Sequence, residues 1–345
     1  MKRVLTIVLL STFCLHLLAE GTTFKDGIFR YAPYGHSLLS DMHPNFVRMD
    51  VADVTNHSEW DWGQTGKQMR VNTFSIFGIN LPLWRGDIVD EHFALSVVMP
   101  ISASIWLDLG EHITAPMVNA DWRVGLPVWT FMHRIDKGFA KNYSVSLAFF
   151  KHESTHIGDE MVLQRADHGL PLRRVNVSYN YSEYVFTLNE AEFFREQCHT
   201  FRVGLMLLWN WNAGWYFIDK TDGDASLAQP RLSPWEAYLQ YQYQSPTSKH
   251  GFQGVASIEI RNRALYGYPA YEWNEEAASY TAYPQTEKRV FTYNVFVGAR
   301  YCNPRYDGYF SRVSLGVRAY HGNNPYGQFR NHNNYNHIGM CLIFE

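Results

Sequence analysis

Apolar and polar residues alternate along much of this 345-residue chain, and this period of two most constrains its fold. From Trp235 the odd positions read Trp, Ala, Leu, Tyr and Tyr, whereas four of the five even positions are Glu or Gln. Segments that begin at Phe201, Phe291 and Val313 repeat the pattern. Successive side chains of a β-strand point to opposite faces, so these segments predict strands with one apolar and one polar face.

The predicted strands number about twelve, and each has at least roughly the 9–11 residues that a tilted membrane strand needs. They cover residues 46–56, 69–83, 92–105, 121–132, 141–154, 172–189, 199–210, 235–244, 251–262, 289–300, 309–320 and 335–344. Gaps of about 12 to 26 residues alternate with gaps of about 6 to 9, as long outer loops and short periplasmic turns alternate in a transmembrane β-barrel. We therefore expect an all-β, antiparallel transmembrane barrel. A secreted β-sandwich, which would bury the apolar faces in a core, is the alternative.

The chain begins with a segment typical of export. Two basic residues precede an apolar run from Val4 to Ala19, which is shorter than the roughly 20 residues of a membrane helix. This pattern predicts a signal peptide over residues 1–19. We expect a periplasmic segment over residues 20–45 and a barrel over residues 46–345, in the outer membrane of a Gram-negative bacterium.

Composition excludes several classes of protein. Aromatic residues make up 16% of the chain and charged residues 18%, which excludes a disordered protein. The formal net charge of −3 offers no basic surface, so we expect no nucleic-acid partner. Beyond the signal peptide, Cys198, Cys302 and Cys341 have the spacing of neither a disulfide framework nor a zinc site.

The C-terminal segment alternates up to the penultimate residue. Ile338, Met340, Leu342 and Phe344 are spaced by two, and Glu345 follows. This resembles the terminal strand signal of bacterial outer-membrane proteins, which usually ends on Phe. The resemblance implies two partners, the outer-membrane assembly machinery and the outer-membrane lipid.

One group of residues could carry chemistry. His152 and Ser154 are two apart on predicted strand 141–154, so they project from one face. An imidazole beside a hydroxyl is the minimum of an activated nucleophile. Asn176, early in predicted strand 172–189, can orient the ring. We therefore take Ser154 as the candidate nucleophile, His152 as its base and Asn176 as the orienting group.

A His-x-Ser that closes one strand, with an Asn early in the next, resembles outer-membrane phospholipase A, a twelve-stranded barrel with a Ser-His-Asn site. The resemblance implies a lipid acyl hydrolase with these same roles for His152, Ser154 and Asn176. The chain departs from that family in the longer loop after the serine. It also lacks the Asn-Gly that usually follows the serine there.

A second resemblance is broader and rests on four segments in order, residues 119–127, 152–160, 174–178 and 324–329. Together they resemble a family of bacterial outer-membrane proteins defined by a domain of unknown function, whose hallmark is His-x-Ser-Ser-His-Leu-Gly-Asp-Glu. In this sequence Thr and Ile replace the second Ser and the Leu. The resemblance implies location and architecture and supplies no activity.

Strict alternation places the candidate cluster toward the lumen, because His152 and Ser154 share a face with Ser144 and Ser146. The same count turns Tyr181 of the next strand toward the lipid. Polar side chains inside a barrel satisfy hydrogen bonds or line a pore. The preferred interpretation is therefore a structural or pore-type barrel with a polar cluster near its outer rim, and a membrane-embedded acyl hydrolase is the alternative.

Five more residues near the cluster are candidate ligands. His156, Arg174 and Ser178 are candidate binding residues. Asp159 and Glu160 could hold calcium through oxygen atoms, and the histidines of the segment would suit a transition metal. Neither spacing is a known metal motif.

Overall fold

The computed structural model describes residues 37–55, 71–89, 92–109, 115, 117–135, 140–158, 173–191, 197–217, 235–266, 271–274, 279–282, 287–303, 311–326 and 334–345. The predicted signal peptide lies outside the described residues. None of the described residues forms a helix long and apolar enough to cross a membrane.

Fifteen strands follow one another along the described chain. They are β1 (Val47–Thr55), β2 (Asn72–Val89), β3 (Phe93–Asp108), β4 (Met117–Gly125), β5 (Val128–Arg134), β6 (Ala140–Ile157), β7 (Arg173–Ala191), β8 (Cys198–Phe217), β9 (Trp235–Gln244), β10 (Phe252–Tyr266), β11 (Tyr271–Asn274), β12 (Ser279–Ala282), β13 (Glu287–Cys302), β14 (Arg312–Gly322) and β15 (Tyr335–Phe344). β4 and β5 are two halves of one wall strand, interrupted at Leu126 and Pro127. Proline has no N–H to donate to a neighbouring strand, which accounts for the break. β11 and β12 pair only with each other.

The remaining strands form one closed sheet. β1 pairs with β15 on one side and β2 on the other, and β2 pairs with β3, so the sheet has no open edge. Every pairing is antiparallel. With β4 and β5 counted as one, the wall has 12 strands, which confirms the predicted barrel. β9 and β15 have the predicted bounds.

The two faces of this wall differ as a bilayer requires. Charged side chains are buried on the inside, among them Arg48, Asp50, Arg123, Glu153, Glu236, Glu259, Arg261 and Arg318. Large apolar side chains are exposed on the outside, among them Met49, Phe77, Trp122, Phe149, Phe186, Val203, Leu239, Phe291, Val317 and Met340. A closed sheet leaves no unpaired backbone group facing lipid, and an apolar outer face matches the hydrocarbon.

Connection lengths separate the two ends of the barrel. The shorter connections at one end are residues 90–92, 135–139, 192–197, 245–251 and 303–311. Those at the other end, generally longer, are residues 56–71, 109–116, 158–172, 218–234, 267–286 and 323–334. The alternation of shorter and generally longer connections follows the predicted order, which predicts that the second end is the extracellular one.

Residues 37–45 lie inside the barrel. The backbone N–H of Leu39 donates to Gln242 Oε1 at 3.0 Å, and that of Met42 donates to Glu259 Oε2 at 3.2 Å. Buried polar side chains need partners, and the backbone N–H groups of this segment supply them. Residues 37–45, the described part of the segment 20–45, therefore occupy the lumen. A cavity of about 60 Å³ remains between it and the wall, room for a few water molecules.

Candidate active site

A β-bulge in β6 changes the direction of every side chain that follows it. The pairing of β6 with β7 shifts register between Ala148 and Lys151. Two residues of β6, Phe149 and Phe150, there stand opposite a single residue of β7. Before the bulge the even-numbered Ala148 is buried inside; after it the odd-numbered Glu153 is buried inside. A bulge adds one residue to a strand, so it reverses the alternation of faces.

The reversal turns His152, Ser154 and His156 to the outside of the wall. The prediction that the cluster points into the lumen is therefore wrong, because strict alternation does not continue through the bulge. The predicted direction of Tyr181 is wrong as well, since that side chain is 3% exposed and lies inside. On β7, Asn180 faces outward beside His152, and the apolar Phe186 is exposed on the same outer face further along the strand.

Two short contacts organise the cluster. His152 Nδ1 lies 2.7 Å from Asn180 Oδ1, and Ser154 Oγ lies 3.3 Å from His156 Nε2. With the amide oxygen as acceptor, Nδ1 of His152 carries the proton and Nε2 is free to accept one. The ring of His152 is thus both oriented and set in the tautomer that a general base requires.

Strand register decides which asparagine stands beside the base. Asn180 of β7 is the cross-strand partner of His152, and Ser178 is the partner of Ser154. Asn176 lies four residues from Asn180 along β7, so the position expected for Asn176 belongs to Asn180. The stagger between barrel strands sets this register, and a periodic pattern in one strand does not reveal it.

The other predicted ligands fall largely outside the described structure. The side chains of Arg174, Asn176 and Ser178 lie outside it, as do Asp159 and Glu160. Among the described residues, no group of three or more His, Cys, Asp or Glu side chains is arranged to hold a metal ion. Calcium at Asp159 and Glu160 stays a prediction.

Apolar side chains border the cluster on the β4 side. Trp122 is the cross-strand partner of Ser154, and Val124 is the partner of His152. Both point outward, and Trp122 is 53% exposed. A serine and an imidazole therefore stand beside an apolar surface that faces the bilayer.

A buried ion pair supports the strand from behind. Glu153, between His152 and Ser154 in the sequence, points inward, and its Oε2 lies 3.3 Å from Arg123 Nε. The hydroxyl of Tyr179 donates to the same carboxylate. These contacts hold the backbone from which the two outward-facing side chains project.

The close approach of two strands explains why position 158, in the His-Ile-Gly-Asp-Glu segment, is a glycine. A Cβ atom on Gly158 would come within 1.5 Å of the carbonyl oxygen of Met117. The backbone N–H of Gly158 also donates to Val118 O at 3.3 Å. Only glycine permits this close approach between the end of β6 and the start of β4.

The closed twelve-stranded wall, its apolar outer face and its filled polar lumen define a transmembrane β-barrel of the outer-membrane type. No known family model matches the chain, and no curated protein matches it.

Among solved structures, the chain is similar to the outer membrane phospholipase of Salmonella typhi, a dimer with bound calcium. The identity is 13%, the TM-score is 0.42, and the match covers 92% of this chain and 94% of that chain. An active-site mutant of outer membrane phospholipase A from Escherichia coli has 13% identity and a TM-score of 0.44, with 95% and 96% covered. LpxR from Salmonella typhimurium has 12% identity and a TM-score of 0.34, with 86% and 99% covered.

Proposed function

We propose that the chain is an acyl-ester hydrolase of the Gram-negative outer membrane, which attacks its lipid substrate from the outer surface of the barrel. One observation carries the proposal. The bulge in β6 presents Ser154 and His152 on the lipid-facing wall, and Asn180 orients His152. Two observations make a pore-type barrel the less favoured interpretation. The cluster does not point inward, and residues 37–45 occupy the lumen.

The side chains of the cluster can carry both halves of an ester hydrolysis. The Ser154 hydroxyl contacts His156 in the resting site and must turn to Nε2 of His152 before reaction. Its Oγ then attacks the ester carbonyl carbon, and its proton passes to that Nε2. The protonated ring then gives this proton to the departing alcohol, which leaves an acyl group on Ser154. In the second half His152 takes a proton from water, the resulting hydroxide attacks the acyl carbon, and the proton returns to Ser154. Nδ1–H of His152 donates a hydrogen bond to Asn180 Oδ1 throughout.

The remaining contacts suit a substrate that arrives from the bilayer. Trp122 and Val124 provide the apolar surface on which an acyl chain can lie next to Ser154. His156 holds the Ser154 hydroxyl in the resting state. The scissile ester reaches the serine laterally, so no passage through the lumen is needed.

The test is fatty-acid release from phospholipid by the refolded barrel in mixed micelles, with and without calcium. Ser154→Ala and His152→Ala should reduce release to background. Gel mobility with and without boiling should show that both variants still fold. Asn180→Ala should cost about two powers of ten less, because loss of an orienting residue harms a triad less than loss of the nucleophile.

Three controls separate the roles. Ser75→Ala removes an outward-facing serine of β2, outside the cluster, and should leave activity unchanged. Asn176→Ala should also retain activity, since Asn180 stands beside His152. His156→Ala should lower activity less than His152→Ala. The proposal would be contradicted if Ser154→Ala released as much fatty acid as the unmodified barrel. It would also be contradicted if neither released any, and that result would favour a purely structural barrel.

A further inference from the structure

A groove of about 330 Å³ lies on the opposite wall from the candidate active site. It crosses the extracellular halves of β13, β14, β15 and β1. In the closed sheet β14 stands six strands from β6. The groove therefore shares no residue with the Ser154 cluster.

Two rows of outward-facing side chains form this groove. The upper row, toward the extracellular end, consists of Tyr293, His321 and Asn336, which are cross-strand neighbours. His321 Nδ1 lies 2.7 Å from Asn336 Oδ1, so Nδ1 carries the proton and Nε2 is an acceptor. The ring of Tyr293 stacks on that of His321 at 6.5 Å between centroids.

The lower row is apolar and contains the depression itself. Val295, Ala319 and Ile338 follow one another across β13, β14 and β15. Ala319 is the smallest of the three, so a dent forms over it between its larger neighbours. An apolar dent of this kind gives a hydrocarbon chain a surface on which to lie along the wall.

An unpaired carboxylate stands at the side of the dent. Asp53 of β1 is the cross-strand partner of Ile338, and its side chain is exposed on the outer face. Among the described residues, no side chain forms an ion pair or hydrogen bond with it. A charge on the lipid-facing wall costs free energy unless something neutralises it. In a membrane, a lipid head group with a positive charge can neutralise it.

We propose that this groove binds one lipid whose head group carries a primary ammonium. The ammonium pairs with the Asp53 carboxylate, and the polar upper row lies on the head-group side of the lipid. One acyl chain lies in the dent over Ala319. Such a lipid combines a cationic group for Asp53 with a hydrocarbon chain for the apolar lower row.

The experiment measures lipid retained by the Ser154→Ala barrel, so that its outcome does not depend on hydrolysis. The barrel is placed in nanodiscs that contain equal amounts of phosphatidylethanolamine and phosphatidylglycerol, released, and analysed by native mass spectrometry. We expect one retained phosphatidylethanolamine, at least about tenfold above phosphatidylglycerol, which corresponds to about 1.4 kcal/mol.

Variants identify the groove. Ala319→Leu fills the dent and should reduce retention about tenfold, whereas Ala237→Leu, at an outward-facing alanine of β9, should not. Asp53→Asn should retain both lipids equally. Gel mobility with and without boiling confirms folding of each variant. Equal retention of the two lipids by the Ser154→Ala barrel, or equal retention by Ala319→Leu and Ala237→Leu, would overturn the proposal.

Discussion

The ion pair behind the candidate active site gives a stability prediction that can be worked from the structure. Arg123 lies against Glu153 at 3.3 Å and against Asp121 at 3.6 Å, and both carboxylates are almost fully buried. Arg123→Met keeps an unbranched side chain in this space and removes the positive charge. Breaking a buried pair by removing one partner costs about 3–5 kcal/mol, because the other charge stays buried without compensation.

We expect a loss near the lower limit, about 3 kcal/mol, because the hydrogen bond from Tyr179 to Glu153 remains. Asn119 also continues to donate to Asp121, at 2.9 Å. The assay is urea unfolding in phospholipid vesicles, followed by tryptophan fluorescence. Lys249→Met, in the exposed turn between β9 and β10, is the control and should change stability by less than about 0.5 kcal/mol.

A second substitution provides the decisive comparison. Glu153→Gln removes one of the two uncompensated charges, so Arg123→Met/Glu153→Gln should be more stable than Arg123→Met alone by about 1–2 kcal/mol. Only coupling between two contacting residues lets an added substitution restore stability. A double variant no more stable than Arg123→Met would refute the reasoning, and so would an Arg123→Met barrel as stable as the unmodified one.

Two further predictions concern topology and the lumen. On intact cells a membrane-impermeant label should react within residues 218–234 and not at Lys249, because these lie at opposite ends of the barrel; labelling of Lys249 would invert the assigned orientation. Deletion of residues 37–45 should raise single-channel conductance in planar bilayers, because it removes the backbone that fills the lumen beside Gln242 and Glu259. A deletion variant that conducts no more than the intact barrel would show that other groups close the lumen.

The sequence by itself determined the wall of the barrel. Strands such as β9 and β15 could be placed to the residue, because lipid outside and polar groups inside impose a strict period of two. The order of long and short connections indicated which end is extracellular. The segment from His152 to Ser154 was also recognisable, since adjacent side chains of one strand face lie together whatever the rest of the fold does.

Tertiary structure alone decided which way that segment faces and what stands beside it. The bulge at Phe149 and Phe150 is defined by the pairing of β6 with β7. The sequence of β6 alone therefore could not show that Ser154 turns outward. The stagger between strands, and no local pattern, placed Asn180 beside His152. Residues 37–45 found their partners on strands about two hundred residues further along the chain. A local pattern determines where a strand lies and how its side chains alternate. Register and contacts between distant segments depend on how the whole sheet closes.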